Sequence, residues 1–135
     1  MDIKLITFRQ HGDERGLLVA LEEKIDVPFA IKRVYYLYNT LSGVSRGFHA
    51  HKKTRQLAVV VKGSCVIRFD DGKNKKDIIL DTPMHGVLIE PEMWHEMYDF
   101  SEDCVLMVLA DEIYNETDYI RNYEEFIKRV NNENS

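Results

Sequence analysis

Two cysteines in 135 residues are too few for a disulfide framework. Cys65 and Cys104 each sit within an apolar run, as buried reduced thiols do, and no cysteine pair has zinc-site spacing. No apolar run approaches the length of a membrane span. The N-terminal Met1-Asp2-Ile3-Lys4-Leu5 lacks the apolar stretch of a signal peptide, so the cytoplasm is the expected compartment. There is no basic surplus. Eighteen basic against 23 acidic residues leave a formal charge of -5, which argues against a nucleic-acid partner. A Gly-rich nucleotide fingerprint is also missing. Repeats, low-complexity tracts and linkers are absent, and the length suits one domain over residues 1–135.

What is present is a series of short apolar runs punctuated by turn residues, the pattern of an all-β sandwich or barrel. Ile31 to Tyr38 is β-branched and aromatic, and reads as a strand. Leu57 to Val61 is nearly all apolar and reads as a strand buried on both faces. Cys65 to Phe69 alternates, Asp70-Asp71-Gly72-Lys73 reads as a hairpin turn, and Asp77 to Leu80 as the returning strand. Gly86 to Glu90 and Val105 to Ala110 continue the series. The tail changes period. Tyr119, Ile120, Tyr123, Phe126, Ile127 and Val130 recur at helical spacing, which predicts a C-terminal helical segment over about 112–131, capped by Asn115 or Thr117.

Three of the five histidines fall in two places: His49-Ala50-His51, and His95 after Trp94. Residues two apart in a strand share a face, so the paired imidazoles point together. Alone, His95 reads as a satisfied core histidine. The pair reads as proton-transfer chemistry, because imidazole titrates near neutrality and one ring can accept while another donates.

The spacing resembles the cupin superfamily. Gly43, five residues, His49-Ala50-His51, four residues, Gln56, six residues and Gly63 follow the first cupin motif, with an amide where the motif has an acid. Gly86, Pro91, His95 and Asp99 follow the order of the second. The resemblance implies a jelly-roll β-barrel with a C-terminal α-helix. Metal-dependent cupins use three histidines and a carboxylate. With Gln56 in the acid position and Arg55 beside it, a functional metal is the lesser expectation, although three imidazoles suffice for zinc or nickel.

A closer resemblance is to the sugar nucleotide 3,4-ketoisomerases, small cupins that act on dTDP-4-oxo-6-deoxy-glucose. It is carried by Arg15-Gly16, by Pro28 to Tyr36, by Arg46-Gly47-Phe48-His49-Ala50-His51-Lys52, and by Trp94-His95-Glu96-Met97. Gly63-Ser64-Cys65, Met107 to Ala110 and Asp118-Tyr119-Ile120-Arg121 extend it over almost the whole chain. It implies an isomerase that moves a carbonyl from carbon 4 to carbon 3 through an enediol or enediolate. No cofactor is needed, because oxidation and reduction occur within one substrate.

On this resemblance the catalytic candidates are His49 as base, His51 as second acid/base or oxyanion donor, and Tyr35 to touch the sugar or position a histidine. The diphosphate calls for guanidinium groups, with Arg15, Arg33 and Arg46 nearest the motifs. Arg33 shares a strand face with Tyr35. Trp94 and His95 are expected at the barrel mouth, with packing an equal reading for Trp94. Arg15-Gly16 resembles the branch that makes the galacto-configured product, a precursor of 3-amino-3,6-dideoxygalactose for bacterial surface glycans such as lipopolysaccharide or S-layer glycan. A homodimer with exchanged N-terminal strands is implied too. The competing readings are a dTDP-sugar 3,5-epimerase, a metal-dependent cupin enzyme and a non-catalytic sugar-binding cupin.

Overall fold

A computed structural model describes residues 1–41 and 43–133. Two five-stranded antiparallel sheets face each other as a jelly-roll barrel, the expected cupin architecture. The first runs β1-β9-β6-β11-β4, from Leu5–Thr7 (β1), His85–Ile89 (β9), Gln56–Lys62 (β6), Val105–Ala110 (β11) and Arg33–Leu37 (β4). The second runs β12-β5-β10-β7-β8, from Tyr119–Ile120 (β12), Arg46–His51 (β5), Trp94–Tyr98 (β10), Cys65–Asp70 (β7) and Lys75–Leu80 (β8). Gln10–Asp13 (β2) and Gly16–Val19 (β3) form a separate two-stranded hairpin.

Strand alternation sorts the apolar residues into three packing layers. Ala58, Val60, Ile67, Phe69, Val87, Ile89, Leu106 and Val108 fill the barrel. On the outer face of the first sheet, Leu57, Val59, Leu88 and Leu109 meet Phe8, Val27 and Phe29. Strand β6 is therefore buried on both faces from Gln56 to Val60, as its apolar run predicts, whereas Val61 at its end is exposed. Gln56 shares parity with Ala58 and Val60, which faces it into the barrel. Cys65 and Cys104 are free and buried, and burial pushes the Cys65 thiol up to about 12.

The third layer lies outside the second sheet, where Ala50, Trp94, Ile120, Phe126 and Val130 pack together. It corrects the C-terminal expectation. The helix (α1) is Tyr123–Glu133, not a segment beginning near 112. Asn122 caps it by accepting from the Glu125 amide, whereas Asn115 caps a single 3-10 turn, Glu116–Asp118. Tyr119 and Ile120 match the helical period but pair with His51 and Ala50 as an edge strand. Tertiary pairing overrides periodicity there, because it buries Ile120 and closes the exposed edge of β5. Trp94 belongs to this layer. Its ring packs on Tyr123 and Phe126, and its indole N–H donates to Glu96.

The turn between β7 and β8 follows its sequence. Asp70 accepts from the Gly72 amide, and Asp71 accepts from Lys73 and Asn74. Gly72 has φ +96°, and a Cβ there would meet Val130 at 2.8 Å, so this turn docks closely on α1. Among the described residues no helix is long and apolar enough to cross a membrane.

Candidate active site

Strand β5 delivers the histidine pair through a distortion. Its pairing with β10 aligns His49 with His95 but Gly47 with Glu96, which leaves Phe48 as an extra residue. Gly47 and Phe48 both have positive φ, +92° and +62°. The bulge curls the backbone so that His49 Nδ1 meets the Gly47 carbonyl at 3.1 Å. Beyond it the strand is regular, and His49 and His51 point inward together with ring centroids 5.1 Å apart.

His95 comes from β10 and completes a cluster, 4.6 Å from His49 and 6.1 Å from His51 by ring centroid. Its Nδ1 meets the Met93 carbonyl at 3.3 Å. His51 Nδ1 meets Asp118 Oδ2 at 3.0 Å, with both side chains buried. Asp118 also accepts from the Thr54 hydroxyl and the Lys53 amide. Since the carboxylate can only accept, His51 carries its proton on Nδ1. Its Nε2 is left with a lone pair, is fully buried, and has no partner.

Burial governs the titration of the cluster. Burial, reinforced by neighbouring His51, lowers His49 to about 4. It lowers His51 as well, against the opposing pull of Asp118, and holds completely buried His95 well below the usual histidine range. Burial alone would raise the Asp118 carboxyl, but the hydrogen bonds from Thr54, Lys53 and His51 keep it below its ordinary value. At neutral pH the site therefore holds three neutral imidazoles with one carboxylate behind His51.

One ligand atom from each histidine lies within 4.8 Å of the others. The residue in the cupin acid position does not join them as a carboxylate. Gln56 is completely buried, and its Oε1 accepts from the Tyr35 hydroxyl at 2.5 Å. The donor set is thus three imidazoles without the acid of metal-dependent cupins.

A cavity of about 390 Å³ opens above His49, with His51 directly beneath it in contact with His49 and Tyr119. Arg33, Tyr35 and Arg46 line it with His49, as the sequence predicts, and Tyr114 and Tyr119 join them. The Arg33 guanidinium lies 5.1 Å from the Tyr35 ring centre and 5.8 Å from that of Tyr114. Tyr119 packs at a tilt against both catalytic candidates, 5.0 Å from His49 and 4.4 Å from His51 by ring centroid, and the Arg121 guanidinium lies over its ring at 4.2 Å. Sequence reasoning placed Tyr119 on a helix and missed it. The resemblance over Asp118-Tyr119-Ile120-Arg121 marks the stretch, but only the strand pairing of Tyr119 with His51 brings it to the site. Asp118 was missed because its partner is 67 residues away.

Two predicted residues lie elsewhere within the protomer. Arg15 is at the β2–β3 turn, highly exposed and paired with Asp13. Trp94 lies in the wall beneath α1 rather than at the mouth. His95 sits below the cavity, in contact with His49.

Comparison with known proteins agrees with this geometry. Residues 1–131 match the family described as FdtA: WxcM-like, C-terminal. The chain is 52% identical over 130 residues to a TDP-4-oxo-6-deoxy-α-D-glucose-3,4-oxoisomerase of Aneurinibacillus thermoaerophilus, covering 96% of this chain and 94% of that protein. A 3,4-ketoisomerase from Helicobacter canadensis superposes with a TM-score of 0.94 at 47% identity, covering 97% of this chain and 98% of the other. A variant of a 3,4-ketoisomerase from Thermoanaerobacterium thermosaccharolyticum, in complex with TDP-4-keto-6-deoxyglucose, gives a TM-score of 0.94 at 45% identity, over 96% and 94% of the two chains. The chain belongs to the FdtA family, the cupin-fold sugar nucleotide 3,4-ketoisomerases.

Proposed function

We propose that this protein converts TDP-4-oxo-6-deoxy-glucose to its 3-oxo isomer by proton transfer within the barrel. The observation that carries the mechanism is the unpartnered Nε2 of His51, held as a lone pair by Asp118 behind it. The geometry favours His51 as the base, in place of His49. It takes the proton from carbon 3, which the adjacent ketone acidifies. The imidazolium that forms is stabilised by Asp118, and the enediolate keeps the negative charge on oxygen. Return of the imidazolium's proton to carbon 4, with transfer of the carbon 3 hydroxyl proton to the oxygen on carbon 4, moves the ketone to carbon 3. His49 lines the cavity and touches His51, so it serves as the second proton carrier. A positioned acid or base contributes roughly two to four powers of ten in rate.

Arg33 and Arg46, on the cavity wall, suit the diphosphate. Arg15 reaches a site only across an interface, which supports a homodimer with exchanged N-terminal strands. Leu17 and Leu18 are 68% and 58% exposed on the β2–β3 hairpin, and Val34 and Tyr36 on the outer face of β4, with Tyr38 just beyond it, are comparably bare. A second copy would cover this apolar surface. The Arg15-Gly16 resemblance supports the galacto-configured product. An aminotransferase would then make a 3-amino-3,6-dideoxyhexose for a surface glycan, with the enzyme working in the cytoplasm.

Proton NMR of TDP-4-oxo-6-deoxy-glucose, incubated with metal-stripped protein in deuterated water, tests the reaction. A 3-oxo product with deuterium at carbon 4 is expected. Unchanged substrate would refute the reading. Deuterium at carbons 3 and 5, with the ketone still at carbon 4, would make the protein an epimerase.

A further inference from the structure

Gln56 takes no part in the mechanism so far, yet it is completely buried and faces the barrel interior. Its carboxamide is only half used. Oε1 accepts the Tyr35 hydroxyl, and Nε2 has no partner. The two side chains meet across β11. In the register of the sheet, Ala110 stands opposite both Arg33 on β4 and Gln56 on β6. Tyr35, two residues on from Arg33, therefore reaches Gln56 diagonally across β11. Tyr35 lines the cavity and Gln56 does not, so Gln56 stands behind Tyr35 as seen from the substrate.

A phenol has one proton and two lone-pair directions. When the proton goes to the wall, the lone pairs face the cavity. Burial pushes the Tyr35 phenol above its ordinary range, so it keeps that proton at working pH. Resting on the ketoisomerase reading, we propose that Gln56 is a positioning residue that makes Tyr35 a hydrogen-bond acceptor toward a sugar hydroxyl beside the reacting carbons. Tyr35 is then not a proton donor in the reaction. The hydroxyl on carbon 3 is the chemically apt partner: the neutral phenol accepts its hydrogen bond without taking its proton, which passes by way of His49 to the oxygen on carbon 4 as the ketone arrives at carbon 3. Anchoring that oxygen on Tyr35 sets the sugar ring so that the carbon 3 C–H faces His51. A neutral amide serves this purpose better than the acid of other cupins. Without a carboxylate here, the three imidazoles stay uncharged and gain no anionic ligand for a cation.

The test is a double-mutant cycle of Gln56→Met and Tyr35→Phe, with turnover of TDP-4-oxo-6-deoxy-glucose and calorimetric binding of TDP as readouts. Q56M is expected to lower kcat by about tenfold to a hundredfold, with TDP affinity changed by less than about threefold. The double variant is expected to be no slower than Y35F alone, because Gln56 acts through Tyr35. Gln56→Glu, assayed with a chelator and at a pH alkaline enough to keep the imidazoles neutral beside the new carboxylate, keeps an acceptor for the phenol and should recover most of the rate lost in Q56M. Independent, multiplying effects of the two substitutions would overturn the proposal. So would a Q56M enzyme within about threefold of wild type, or, should Q56M fail to fold, a folded Q56E with no more turnover than Y35F. Failure of the wild-type protein to isomerise the substrate would overturn the ketoisomerase reading as well, which separates the two.

Discussion

Replacing Asp118 by asparagine removes a charge while keeping shape, and its cost can be worked from the contacts. The Asp118 carboxylate holds the Nδ1 proton of His51 at 3.0 Å and accepts from Thr54 and from the Lys53 amide. In Asp118→Asn the carbonyl oxygen stays with the Lys53 N–H, and the amide nitrogen then faces His51. It donates to Nδ1, which drives the ring proton to Nε2, where the lone pair is needed. Loss of a charge-assisted hydrogen bond to the forming imidazolium is worth about 1.5–3 kcal/mol, or roughly 10- to 150-fold in rate. The wrong tautomer adds to this, and comparable substitutions behind a catalytic histidine cost about 10⁴-fold. The expected fall in kcat is therefore about 10³-fold, with TDP affinity and thermal melting little changed. Single-turnover NMR in deuterated water, beside calorimetry with TDP, measures all that is needed. If D118N turns over within about tenfold of wild type, His51 is not the base oriented by Asp118.

Three further outcomes follow from the same contacts. The native histidine pKa values lie below the unfolded value of about 6.5, so the unfolded chain binds more protons as the pH falls and stability should drop between about 6.5 and 4; His49 alone accounts for about 3 kcal/mol by pH 4, and urea midpoints of wild type and His49→Asn should diverge over that range. Gly47→Ala puts a Cβ 3.1 Å from the His95 carbonyl at φ +92°, so it should cost about 1–3 kcal/mol and slow turnover by displacing His49, read from chemical denaturation and kcat. Phe126→Ala empties the centre of the layer under α1, with an expected loss of about 3–5 kcal/mol in denaturant unfolding and weaker docking of the strand that carries Tyr119.

The barrel and part of the site were legible in the sequence for different reasons. Strands such as β6 and β11 announce themselves because local burial shows as local composition. The histidine pair was legible because two residues in one strand share a face by period alone. Arg33 with Tyr35 was legible for the same reason, and both line the cavity. Asp118 and Tyr119 were not, and Gln56 only as the amide in the acid position, because their function lies in partners far along the chain: His51, the ring faces of both histidines, and Tyr35. Tyr119 was misplaced because two residues of strand cannot outweigh a helical period that continues for ten more. Trp94 could be read as mouth or as wall, and only the docking of Phe126 and Tyr123 onto it decides for the wall.

The placement of charge ties these residues to one chemistry. A carboxylate at the position of Gln56 would face the interior, raise the proton affinity of the imidazoles and draw a cation to their free nitrogens. Here the buried carboxylate is instead on the far side of His51, bound to Nδ1 and brought there by the turn that precedes β12. From that side it fixes the tautomer and waits to balance a positive charge that exists only after proton transfer. The C-terminal segment is therefore more than a cover for the sheet. It carries Asp118 and Tyr119 to the histidines, and α1 anchors it through Ile120 and Phe126. Mutations under the helix should consequently weaken catalysis through the base as well as through global stability.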